Sequence, residues 1–72
     1  MSNLDYLLKN GIIYLLDEYE NAVFKFTSTG KGNLCEVKFK GKIPYKIDCS
    51  TNLAMQAILG GTIITKEQYE EF

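Results

Sequence analysis

Three residue types are missing from this chain: histidine, arginine and tryptophan. Without histidine there is no ordinary general base near neutral pH and no imidazole metal ligand. Without arginine there is no planar fork for bidentate recognition of phosphate, carboxylate or guanine. Proline occurs once and cysteine twice, too few thiols for a disulfide framework or, without histidine, a closed tetrahedral zinc site. No apolar run approaches the roughly 20 residues that cross a bilayer as a helix. The opening Met1-Ser2-Asn3-Leu4-Asp5 lacks the basic region and continuous apolar stretch of a signal peptide, so the expected compartment is the cytoplasm. No cofactor is implied, and the expectation is that the protein is not an enzyme.

What is present points to one small globular domain spanning residues 1–72. Hydrophobic residues make up 46% and charged residues 24%, which is generous apolar content for a chain with so unfavourable a surface-to-volume ratio. That surplus suggests burial between subunits. The net charge of −1 hides an asymmetry. Residues 21–47 carry six lysines against Glu36 alone, while both flanking segments are acidic. Lysine without arginine, together with abundant Ile, Tyr and Asn, is the composition of an AT-rich coding sequence, as in low-GC bacteria and their phages.

Ser2-Asn3-Leu4-Asp5 reads as a capped helix start and Asn10-Gly11 as its stop. Ile12 to Leu16 then reads as a strand, although Leu4, Leu7, Leu8, Ile12, Leu15 and Leu16 would also fit one longer helix. Ala22 to Thr27 predicts a second strand with Ala22, Phe24 and Phe26 facing the core, followed by a Ser28–Asn33 loop. The third strand alternates Cys35, Val37 and Phe39 inward with Glu36, Lys38 and Lys40 outward. A fourth places Ile43, Tyr45, Ile47 and Cys49 inward. An apolar helix capped by Ser50 or Asp48 runs from Leu53 to Gly60-Gly61. Thr62–Ile64 suits a short strand, and Thr65-Lys66-Glu67-Gln68 is a capping box opening a last helical turn. The fold class is therefore α+β: a short N-terminal helix, a four-stranded antiparallel meander, an apolar helix packed on the sheet, and a short terminal strand and helix.

Core phasing of the hairpin around Gly41 requires Cys35 to face Tyr45, Ile47 or Cys49. A type I turn with Gly41 left-handed favours Tyr45. The cysteines then read as buried free thiols, with a disulfide possible only in the register that puts them opposite each other.

Two surfaces stand out as candidates. Lys25, Lys38, Lys40 and Lys46, with Lys31 in the Gly30-Lys31-Gly32 loop, form a candidate ligand face on the outer side of the sheet. Such a face can track phosphates, or simply keep sheet edges soluble. Met55 and Leu59 on the apolar helix, with Tyr69 and Phe72 near the end, have the composition of a protein interface. The functional expectation is a non-enzymatic interaction module, self-associating into a homo-oligomer and binding a protein partner, in the manner of a phage or prophage accessory or inhibitor protein. The alternative is a nucleic-acid or nucleotide binder using the lysine face. No membrane partner is expected.

Overall fold

A computed structural model describes residues 2–72. Helix α1 (Asn3–Asn10) begins where Ser2 Oγ accepts the Asp5 N–H and the Asp5 carboxylate accepts the Ser2 N–H, a reciprocal cap. It stops at Gly11, whose φ of 80° is left-handed and costs glycine nothing. Ile12 therefore starts a strand, β1 (Ile12–Asp17), and the longer helix is not formed. Next come β2 (Ala22–Thr29), β3 (Gly32–Phe39) and β4 (Tyr45–Ile47). Helix α2 (Asn52–Gly60), strand β5 (Thr62–Ile63) and helix α3 (Lys66–Glu71) complete the chain. The Thr65 and Gln68 side chains and backbones cap α3 reciprocally, as their spacing predicts.

All strand pairings are antiparallel, in the order β4-β3-β2-β1-β5. The meander is the one the alternation predicts, and β5 extends it to five strands by pairing Ile63 with Leu15 and Thr62 with Leu16. One face carries Ile13 and Leu15, Phe24 and Phe26, and Cys35 and Val37, the period-2 positions of three strands. Leu7 of α1 and Ala54 and Ala57 of α2 close this core. Small residues at the α2 contact let that helix lie close to the strands.

Gly61 fixes how closely. A Cβ there would sit 2.6 Å from the Ala57 carbonyl oxygen and 3.2 Å from Leu15 Cβ. Its N–H donates to Ala57 O at 2.8 Å, and its carbonyl accepts the Asn3 side-chain amide at 2.9 Å. One residue thus ends α2, abuts β1 and holds the start of α1.

Part of the other face is covered by α3. Val23 points to that side and is fully buried, although it lies outside the core cluster formed on the first face. The Gly41 N–H donates to the Phe72 carbonyl at 3.1 Å, tying the end of α3 to the turn between β3 and β4.

Four local expectations need correcting. Ile43, expected inward on the fourth strand, precedes β4 and is 84% exposed, and Tyr45 at the start of β4 is 53% exposed. The loop predicted over residues 28–33 is a tight turn at Gly30-Lys31, because β2 and β3 stay paired out to Thr29 and Gly32. The cap of α2 is Thr51, whose Oγ1 accepts the Ala54 N–H, and not Ser50 or Asp48. Asp48 instead accepts the backbone N–H and the hydroxyl of Ser50 in the preceding turn, which lowers its pKa below the usual carboxylate value. Finally, Cys35 faces Ile47 and not Tyr45. The turn closes with Lys42 N–H on Phe39 O at 2.9 Å, with Gly41 at φ 72°. Pro44 has no N–H for the ladder, and pairing resumes only at Tyr45 opposite Val37.

The Gly61 contact yields a stability prediction. Gly61→Ala forces backbone apart at the α2–β1 junction, so it should cost about 2 kcal/mol and lower the melting temperature by about 10 °C. Thermal unfolding followed by circular dichroism measures it. An unchanged melting temperature contradicts the close approach.

Candidate functional site

The outer face of the sheet is organised by register. Tyr14, Lys25, Glu36 and Lys46 stand side by side on β1, β2, β3 and β4. Glu36 is thus flanked by a lysine on each neighbouring strand, the favourable cross-strand arrangement of charge. The adjoining row brings Lys38 beside Val23. Helix α3 lies over these rows: the Tyr69 ring is 5.3 Å from that of Tyr14, and its hydroxyl donates to Glu36 Oε1 at 2.7 Å. Lys38 Nζ sits 5.9 Å from the centre of the Phe72 ring, within cation–π range.

Between α3 and the sheet lies a cleft of about 260 Å³ lined by Lys25, Lys38, Lys66, Glu36 and Tyr14. A second hollow of about 170 Å³ shares Lys25 and Glu36 and reaches Lys46. The structure therefore brings together Lys25, Lys38 and Lys46 from the predicted ligand face. It does not bring the other two. Lys40 lies in the turn after Phe39 and Lys31 in the turn after Thr29, at opposite ends of the sheet. The Lys31 N–H is already used by Thr29 Oγ1 at 3.1 Å, and the Thr29 hydroxyl donates to Gly32 O at 2.6 Å, so this Gly-Lys-Gly turn bonds to itself. Lys66 escaped the sequence reading because nothing in its one-turn neighbourhood says on which face of the sheet α3 will lie.

The predicted interface residues divide between the two faces. Met55 and Leu59 are on α2, 47% and 79% exposed. Tyr69 is only 5% exposed, and Phe72 is half-buried on the opposite side. Two residues that complete the α2 surface were not singled out: Leu4 and Leu8, 47% and 64% exposed, one turn apart on α1. Their signal was present in the Leu4, Leu7, Leu8 spacing, which marks Leu7 as core but leaves its neighbours on the flank.

Helical geometry places all four on one surface. Leu7 points into the core and Tyr6 lines the hollow beside Ile63 and Ile64, so Leu4 and Leu8 occupy the opposite flank, toward α2. On α2, Gln56 turns away to donate to Asp17 Oδ2 at 2.8 Å, which leaves Met55 on the α1 side and Leu59 at the crest. Helix α2, Asn-Leu-Ala-Met-Gln-Ala-Ile-Leu-Gly, contains no charged residue. On the far side of Gln56 a more open hollow of about 470 Å³ includes Asp17, Glu18 and Tyr19. The Asp17 carboxylate is buried there, satisfied by Gln56 and by the Glu20 N–H at 3.3 Å.

The thiols are core residues. Cys35 is buried and Cys49 half-buried, both free, and Cys49 Sγ–H donates to Asn33 O at 3.3 Å. Burial, reinforced by the neighbouring Cys49, pushes the Cys35 pKa from 9.0 up to about 12. Burial also raises Cys49. Burial and the bond to Glu36 raise the Tyr69 hydroxyl. A thiol held protonated through the neutral range is a poor nucleophile.

No family model matches the chain, and no curated protein or solved structure matches it.

The thiol environment predicts an alkaline weakness. Because the folded-state pKa of Cys35 lies above its unfolded value of 9.0, its contribution is complete below that pH and is lost as pH rises toward about 12. Urea titrations between pH 8 and 11 should give a stability that falls more steeply with pH in the wild type than in Cys35→Ala. Parallel curves contradict the assignment.

Proposed function

We propose that this protein is a non-enzymatic interaction module that works as a self-associated unit, with the α1–α2 surface buried against a second copy of the chain. The observation that carries this reading is that the neighbouring helices α1 and α2 expose Leu4, Leu8, Met55 and Leu59 outside a core formed without them. Fully burying a leucine side chain stabilises by about 1.5–3 kcal/mol. Removing these four from water on two copies at once is the largest favourable change left to this surface. Interface centres are depleted in charge, and α2 has none.

The basic outer face argues for a second copy here and not there. Lysines on the sheet face and its β4 edge repel another copy of themselves and discourage edge-to-edge pairing. That face is left to a protein partner of opposite charge, as an accessory or inhibitor protein of phage type would use it.

Replacing Leu8 and Leu59 together by Glu should convert an oligomer into a monomer in multi-angle light scattering while leaving the circular dichroism spectrum intact, since neither residue is in the core. A wild type that stays monomeric at hundreds of micromolar sinks the reading.

A nucleic-acid binder is the second reading, supported by Lys25, Lys38, Lys46 and Lys66 lying on one face. It is the weaker one, because Tyr14 and Tyr69 pack against each other and are not offered to bases. Fluorescence anisotropy with a random single-stranded oligonucleotide tests it. Binding at low salt that falls steeply as salt rises favours it, and no binding at low salt removes it.

A further inference from the structure

We infer that two copies meet about a two-fold axis beside α1, with the α1 helices antiparallel and Asp5 of each copy paired with Lys9 of the other. This rests on the self-association reading above and adds its symmetry and its specificity residues.

The helical repeat of α1 orders its exposed side chains in two adjacent rows. Leu4 and Leu8 lie on the flank toward α2, and Asp5 and Lys9, one residue further along, lie beside them on the solvent side. In a two-fold dimer the contact is isologous: if residue i meets residue j, then j meets i. Antiparallel packing of α1 on its copy puts Leu4 against Leu8 and Leu8 against Leu4. The same operation sets Asp5 against Lys9 twice. Parallel packing about a two-fold axis along the helices would instead leave Asp5 and Lys9 of the two copies on opposite sides of the seam, with no charge pairing between them. Asp5 and Lys9 are the only charged residues of α1 and α2 has none. The charge on this surface is therefore self-complementary in the antiparallel orientation and unpaired in the parallel one. Met55 and Leu59 flank the pair and extend the apolar contact.

Asp5 uses one carboxylate oxygen for the Ser2 N–H at 3.3 Å, leaving the other for a partner. Lys9, in the last turn, is exposed and extends from the same side. Oppositely charged residues at the rim of an apolar patch set orientation and exclude the wrong one more than they add affinity.

The test is a charge exchange read by sedimentation equilibrium. Lys9→Glu, which leaves the α1 cap untouched, places two carboxylates together twice and should raise the dimer dissociation constant roughly tenfold. Asp5→Lys should weaken the homodimer comparably. Mixing the two variants should recover association to within about threefold of the wild type, because each contact is again between opposite charges. Circular dichroism on each variant separates loss of helix from loss of pairing, since Asp5→Lys also removes a cap. A Lys9→Glu variant that dimerises as tightly as the wild type overturns the antiparallel arrangement but leaves self-association standing. A wild type that never dimerises removes both.

Discussion

The contact on which the rest of the arrangement depends is the one at Gly61. Its missing Cβ lets the end of α2 press against Leu15 and Leu16 of β1, and its peptide holds both Ala57 and Asn3. Two helices distant in sequence are thereby locked to one strand at one point. Their relative placement sets Leu4 and Leu8 beside Met55 and Leu59. A bulkier residue would move α2 away from the sheet and open the core at Ala54 and Ala57, which are small because the helix lies close.

A short chain that covers both faces of a sheet has little left over. Here α1 and α2 cover the first face and α3, anchored by the Tyr69 hydroxyl on Glu36, covers part of the second. The outcome is a molecule with two unlike surfaces. One is apolar and almost uncharged, built on helices. The other is a lysine-rich sheet face whose single central carboxylate is held by its neighbours. On the proposed reading a second copy takes the first surface, and the lysines of the other face, which discourage edge pairing at β4, leave self-association to the helices. No helix among the described residues is long and apolar enough to cross a membrane.

Much of this was legible in the residues themselves. Alternation located β2, β3 and β4 and sorted Phe24, Val37 and Cys35 inward, because a two-residue period admits one solution when only one face is fully apolar. Capping residues located α1 and α3. The register of β3 against β4 was not legible: Gly41 permits several turns, and Pro44 decides among them only by withholding a donor. The placement of Tyr69 was misleading for a different reason. An aromatic residue in an acidic terminal helix looks like an exposed anchor until the helix is known to fold back over Glu36. Leu4 and Leu8 were overlooked because an apolar residue beside a core leucine reads as core. The lysine face was half legible: strand alternation gave its direction, but only the tight turn at Gly30-Lys31 separates Lys31 from the cluster.

The central claim is that Leu4, Leu8, Met55 and Leu59 are covered by another copy. Methyl NMR over a dilution series tests it directly. The methyl resonances of these four residues should move together along one binding curve as the protein is diluted, while those of Ile43 and Leu34, also exposed but away from the α1–α2 surface, hold still. Shifts confined to Ile43 and Leu34, or no shift anywhere from millimolar to micromolar protein, would contradict it.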